Sequence, residues 1–288
     1  MPMNQPREHT RSAADGTSLF IVDWPVDAAA GAAEGIVLMH GLGEHCGRYA
    51  HVARFFNDHG LAVRAYDHRG HGRSGGTRGD VPDAETLLQD AKAVIDDFAA
   101  GLSVPPLLLG HSMGGLFAAC YAVRGLSPLR GLVLSAPALR INLSAAQRIL
   151  LRVLGTLAPG FGIPNGLDSR YLSHRQDVVA AYDSDPLVHA KISARLLRAM
   201  LSAIDYSQAH APALAASTLL LVAGDDHLVD ARGSDAFFAK LAPGMRTKRS
   251  YADFYHELFN ETGAARVFED LRAWLAALRA AERDASRP

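Results

Sequence analysis

The chain has 288 residues, 49% of them hydrophobic and 20% charged, a size and composition that fit one soluble α/β domain carrying an insertion. A formal net charge of -1 without any Lys/Arg run removes nucleic acid from the expected partners, and no segment supplies the roughly 20 apolar residues of a spanning helix. The two cysteines form no motif, Cys120 falling in an apolar helical stretch and Cys46 in a loop, and together with the absence of a secretory pattern this points to the cytoplasm.

Residues 1–16 are polar, carry Arg7, Glu8 and Arg11, and are expected to be a mobile leader. Ser18 to Trp24 then has the composition of a strand, ended by Pro25 and an Ala/Gly stretch to Gly35 that suggests a turn. Ile36 to Met39 is the next strand and runs into a glycine-rich loop, His40-Gly-Leu-Gly-Glu-His-Cys-Gly-Arg-Tyr49. An amphipathic helix through Val52, Phe55 and Phe56 stops at His59-Gly60, and Leu61 to Tyr66 is a third strand. The turn Asp67-His-Arg-Gly-His-Gly-Arg-Ser74 adds His68 and His71 to His40 and His45, but no Cys/His/Asp set has ligand spacing, so these histidines are read as structural and no metal is expected.

Between Glu85 and Phe98, apolar residues recur at helical spacing. Leu107 to Leu109 follow as a buried strand, and Gly110-His-Ser-Met-Gly114 fits the G-x-S-x-G elbow that presents a serine at a strand-to-helix turn. Leu116 to Val123 is the helix after it, and Gly131 to Ser135 another strand. From Ala138 to His210 the strand–helix alternation lapses: Ile149 to Leu154 with Leu157 is helical, residues 158–166 are loop, and Ala194 to Ile204 is a further helix. This stretch, 138–210, is expected to be a helical cap providing an apolar floor for an acyl chain, and its segment around Leu150 to Phe161 is a candidate for peripheral membrane contact. The alternation resumes with Ser217 to Val222, a last strand near Arg246 to Tyr251, and a closing helix from Val267 to Leu278. Residues 17–137 and 211–283 therefore form the core, a mostly parallel sheet with helices on both faces.

The elbow makes Ser112 the candidate nucleophile. Oxyanion donors in such a site are the N–H after the nucleophile and one from the loop after an earlier strand, which assigns Met113 and Leu42. The partners follow in the order acid, then histidine. His227 and His256 lie beyond the cap, and His227 sits in the acid's own loop, so His256 is the base by elimination. The loop after Val222 offers Asp225, Asp226 and Asp230; Asp226 or Asp225 suits the strand end better than Asp230, with Asp226 preferred.

With these residues in place the chain resembles the monoacylglycerol lipase and lysophospholipase branch of the α/β-hydrolases. The resemblance is carried by the His40–Tyr49 loop, the Asp67–Ser74 turn, Gly110-His-Ser-Met-Gly-Gly115, Asp183-Ser-Asp-Pro-Leu187, Asp226-His-Leu-Val-Asp230 and Tyr255-His256, and spans Leu19 to Leu278. It implies an α/β-hydrolase fold, a Ser112, Asp226, His256 triad, oxyanion donors Leu42 and Met113, and Glu44 and Arg48 shaping the polar end where glycerol sits. It departs at Phe259, where animal relatives carry a second histidine, and at Val229, where they carry a cysteine. The implied activity is cofactor-independent hydrolysis of monoacylglycerols to fatty acid and glycerol through an acyl-enzyme, with a small lipid ester as the partner and no obligate protein. A lysophospholipase or general carboxylesterase would use the same triad. A catalytically silent ligand-binding protein would require a missing triad member.

Overall fold

The computed structural model describes residues 5–26 and 34–285. Among these, an eight-stranded sheet has the order β1 (Arg7–Ser12), β2 (Ser18–Trp24), β4 (Leu61–Tyr66), β3 (Glu34–Met39), β5 (Leu107–His111), β6 (Gly131–Ser135), β9 (Ser217–Ala223), β10 (Arg246–Tyr251). β1 and β2 join antiparallel, and from β4 to β10 every pairing is parallel. Arg7–Ser12, expected as leader, is instead the edge strand, in register with β2 from Arg7 opposite Asp23 to Ser12 opposite Ser18. Its residues are almost all exposed, so no apolar alternation marks it, and its charges suit an edge that must not pair further. Of the stretch from Pro25 to Gly35 expected as a turn, residues 27–33 lie outside the described residues, and Glu34 and Gly35 already belong to β3.

The side-chain period of two divides the core. Ile36 and Leu38 of β3, Leu107 and Leu109 of β5, and Leu219 and Leu221 of β9 face one way, against α1 (Ala50–Asp58) and α8 (Ala265–Ala285). Val37, Met39, Leu108, Leu220 and Val222 face the other, against α2 (Thr86–Ala99) and α3 (Met113–Val123). Near-continuous apolar strands are what a sheet buried on both faces requires. α3 is buried almost all round, which is why its sequence shows no polar stripe.

The region between β6 and β9 contains α4 (Ala145–Leu157), a two-stranded ribbon of β7 (Gly162–Pro164) with β8 (Lys191–Ser193), α5 (Gln176–Ser184) and α6 (Ala194–His210). Ser144 and Gln147 close a reciprocal capping box at the start of α4. The segment expected as loop at 158–166 thus contributes a strand. α6, which begins directly after Ser193, buries Leu196, Ala199, Met200 and Ala203 in the same cluster as α3, while its Ala194, Leu197 and Met200 line the cavity together with α4. Asp80 pins that junction, accepting from Ser193 Oγ at 2.6 Å and pairing with Arg195.

Because β4 and β5 lie on opposite sides of β3, the strand order reverses there, and the crevice beyond the carboxyl ends of β3 and β5 is where a parallel α/β sheet places its ligand. Met39 is opposite Gly110, so the loop from His40 and the elbow at Ser112 emerge side by side.

Candidate active site

Ser112 follows β5 with φ 55° and ψ -118°, a conformation that costs a non-glycine residue about 1–3 kcal/mol and persists only where the surroundings hold it. They do: its N–H donates to Ser135 O at 3.0 Å and its carbonyl accepts from Ala138 N at 3.0 Å. The flanking glycines are a matter of space. A Cβ on Gly110 would sit 2.4 Å from Gly114 O, and one on Gly114 would sit 2.3 Å from Met39 O. The turn thus brings the serine out while α3 packs onto β3 and β5. Met113 opens α3, so its N–H has no acceptor within the helix and lies at the positive end of the helix dipole.

The Leu42 loop is shaped by Glu44, whose Oε1 accepts the Gly41 N–H at 2.6 Å and the Tyr49 hydroxyl at 2.7 Å. Leu42, Ser112, Met113 and Asp226 share the wall of a cavity of about 590 Å³, whose far side is apolar, with Leu150, Leu154 and Leu197. Its size lies within the usual range for small-molecule sites, about 300–1,000 Å³.

His256 Nδ1 lies 2.8 Å from Asp226 Oδ2, leaving Nε2 on the opposite edge of the ring. The other Asp226 oxygen accepts the N–H groups of Leu228 and Val229, both at 2.9 Å. Exposure separates the acids the sequence offered: the Asp226 side chain is 3% exposed and that of Asp225 51%. Asp225 pairs with His227 at 3.1 Å, and Asp230 caps α7 (Ala231–Lys240) while holding Arg232 and Asn142. Burial penalises the Asp226 carboxylate, but the His256 charge, its hydrogen bond and the two amides hold its pKa below the ordinary value. Burial likewise opposes protonation of His256, and the Asp226 charge and hydrogen bond outweigh it, raising the imidazole above its usual 6.5.

Beside this pair is His111, to which sequence reasoning assigns no role. Its ring centroid is 4.7 Å from that of His256, and its Nδ1 is 3.2 Å from Ser135 Oγ. Burial, then the neighbouring His256 charge, lowers its pKa to about 4, so it stays neutral and does not compete for the proton. The clustered histidines read as structural are held by neighbouring groups: His40 Nε2 accepts the His68 N–H at 2.9 Å, His71 Nδ1 lies 3.0 Å from Arg69 O, and His45 Nε2 lies 2.8 Å from Asp185 Oδ2. Among the described residues no group of three or more His, Cys, Asp or Glu is arranged to hold a metal ion.

Glu44 and Arg48, expected at the glycerol end of the site, are held by other residues of the protein, and like His256 neither is among the residues that line the cavity. The Glu44 carboxylate accepts from Gly41, Tyr49 and Arg48, and Arg48 Nη1 and Nη2 donate to Glu257 at 2.5 and 2.8 Å. Glu257, which sequence reasoning misses, follows the base directly; its only signal is an acid where a loop beside a buried histidine should be apolar.

The family model described as serine aminopeptidase S33 matches residues 31–263. The chain is 35% identical over 272 residues to the monoacylglycerol lipase of Mycolicibacterium smegmatis, covering 93% of this chain and 96% of that protein. It is 32% identical over 243 residues to phospholipase YtpA of Bacillus subtilis, covering 83% and 93%. Among solved structures, the monoacylglycerol lipase of Paleococcus ferrophilus superposes with a TM-score of 0.81 at 32% identity, covering 90% of this chain and 99% of that one.

Proposed function

The chain belongs to the serine aminopeptidase S33 family and has the α/β-hydrolase fold, and from that premise we propose that it hydrolyses monoacylglycerols to fatty acid and glycerol with Ser112, His256 and Asp226 as its triad. The observation that carries this reading is the Asp226–His256 pair, its imidazole 4.7 Å from the ring of His111, with Asp226 and the strained Ser112 on the wall of one cavity. His256 Nε2 takes the Ser112 Oγ proton as Oγ attacks the ester carbonyl, and the oxyanion is received by the N–H groups of Leu42 and Met113. The imidazolium then returns that proton to the departing glycerol oxygen, leaving acyl-Ser112. Water attacks the acyl-enzyme by the same sequence and releases the fatty acid.

A lysophospholipid is the second reading. Its support is the pair of guanidinium groups, Arg140 and Arg232, gathered round Asp230 on the cavity wall, where an anionic headgroup would find charge. Hydrolysis of a monoacylglycerol series from short to long chains beside a matched lysophospholipid separates the two. A long-chain monoacylglycerol preference is expected; a lysophospholipid preference would move the protein to the second reading with the triad intact.

We further propose that the cap rests on a lipid surface. α4 has two apolar faces: Leu151 and Leu154 turn to the cavity, whereas Ile149 and Leu157, with Phe161 beyond, are 61%, 79% and 61% exposed. Arg148 and Arg152 flank that outer face. No helix among the described residues is long and apolar enough to cross a membrane, so contact would be peripheral. Replacing Leu157 and Phe161 by Asp is expected to abolish co-sedimentation with anionic phospholipid vesicles while hydrolysis of a dissolved short-chain ester stays within about twofold, as for surface changes away from the site. Unchanged sedimentation would dismiss the surface.

A further inference from the structure

The oxyanion loop and the base leave the sheet from strands that do not touch. β3 and β10 are separated by β5, β6 and β9, four strand spacings or about 19 Å at the usual interstrand distance. The sheet itself therefore leaves the spacing between Leu42 and His256 to whatever joins the two loops.

One guanidinium joins them. Glu44 Oε1 holds the Gly41 N–H, immediately before Leu42, and Glu44 Oε2 accepts Arg48 Nη1 at 2.6 Å. Arg48 then donates through Nη1 and Nη2 to both oxygens of Glu257, immediately after His256. Glu257 is held in turn: Asn260 Nδ2 donates to its Oε2 at 2.8 Å, and its own N–H donates to Leu172 O at 2.8 Å. The Tyr182 ring of α5 lies 4.9 Å from the Arg48 guanidinium carbon. Both glutamates are 4% exposed. Two buried carboxylates on one guanidinium carry a net negative charge, and apolar side chains of equal volume would pack such a space at less cost in desolvation. What apolar packing could not do is fix two loops by directed, bidentate hydrogen bonds.

We propose that Arg48 and Glu257 are positioning residues, the Glu44–Arg48–Glu257 bridge setting the distance between the oxyanion loop at Leu42 and the general base His256. This rests on the serine-hydrolase reading of the same site. It also has an electrostatic consequence. The groups facing His256 are Asp226, Glu44 and Glu257, all negative, the neutral His111, and Arg48 behind the carboxylates. Neutralising Glu257 leaves the Arg48 charge less compensated and makes imidazolium harder to form.

The test measures kcat, KM and the pH profile of monoacylglycerol hydrolysis for Glu257→Gln, Glu257→Asp and Arg48→Lys, beside their melting temperatures. A displaced donor–base geometry is worth about 10- to 100-fold in rate. Glu257→Gln is therefore expected to lose that much in kcat with KM held within about threefold, since a transition-state geometry and not uniform binding is disturbed, and to shift the acid limb of kcat/KM to lower pH. Glu257→Asp, which keeps the charge, should leave the limb in place. Arg48→Lys, which keeps the charge but loses the fork, should lower kcat comparably. Should Glu257→Gln fail to fold, the other two variants decide by the same kcat criterion. A kcat within about threefold of the parent and an unmoved acid limb, whatever the melting temperature does, would overturn the proposal. A parent protein that neither hydrolyses an ester nor labels at Ser112 with a fluorophosphonate would instead remove the hydrolase reading beneath it.

Discussion

Replacing Ser112 by Ala is expected to lower kcat on the best monoacylglycerol by about 10⁶-fold, the loss seen when a triad nucleophile is removed and only oxyanion donors and binding remain. The protein should otherwise be unchanged. The hydroxyl makes no capping bond to the first turn of α3, so its removal leaves the start of that helix as it is. Stability should stay within about 0.5 kcal/mol, as for substitutions away from any packing or hydrogen-bond role. Ser112→Gly provides the complementary measurement. At φ 55° a glycine relieves strain that the serine carries, offset in part by the greater freedom of glycine in the unfolded chain, so a gain of about 1 kcal/mol is expected alongside the same loss of rate. Intact-mass analysis after fluorophosphonate treatment should show one adduct on the parent and none on either variant. More than a trace of turnover by Ser112→Ala would mean that some other group attacks the ester, and the mechanism proposed above would be wrong.

What the sequence discloses and what it hides have physical causes. Interior parallel strands are apolar on both faces, so β3, β5, β6 and β9 stand out as short Val/Leu runs. β1 is an edge with solvent on its sides, carries no such run, and reads from sequence as leader. α6 reads as cap because it follows the inserted segment, and its Leu196, Met200 and Ala203 are buried in one cluster with α3; helical periodicity reveals that a face is buried but not what buries it. The serine is legible because its conformation demands glycines at fixed offsets. The choice among Asp225, Asp226 and Asp230 is not legible from spacing alone, because it turns on which carboxylate the Leu228 and Val229 amides capture. Glu44 and Arg48 are recognisable as a motif, but their place is not. A motif records that residues occur together, and here the second carboxylate on Arg48 is Glu257, 209 positions beyond it.

Asp226→Asn keeps the size of the side chain while changing the chemistry of its contact with His256, and it should cost about 10⁴-fold in kcat. The carboxylate accepts from Nδ1–H, which leaves the Nε2 lone pair facing the serine; an amide can present its NH2 instead and favour the opposite tautomer, so that the base has no lone pair to offer. The pH dependence provides an independent check of sign. His256 must be neutral to act as base, and its pKa stands above 6.5 because Asp226, with help from Glu257 and Glu44, outweighs burial. In the parent, kcat/KM should therefore fall as pH drops through a value above 6.5. In Asp226→Asn the largest influence raising that pKa is gone while burial remains, so the residual activity should keep its plateau to lower pH than the parent. Formate or acetate added to Asp226→Asn should restore little, since the site is 3% exposed and already filled by the amide. A variant that lost the rate but kept the parent's acid limb would show that the limb belongs to another group. Because His111 is already held near 4 by burial, that group would have to lie outside the pair of histidines at the elbow.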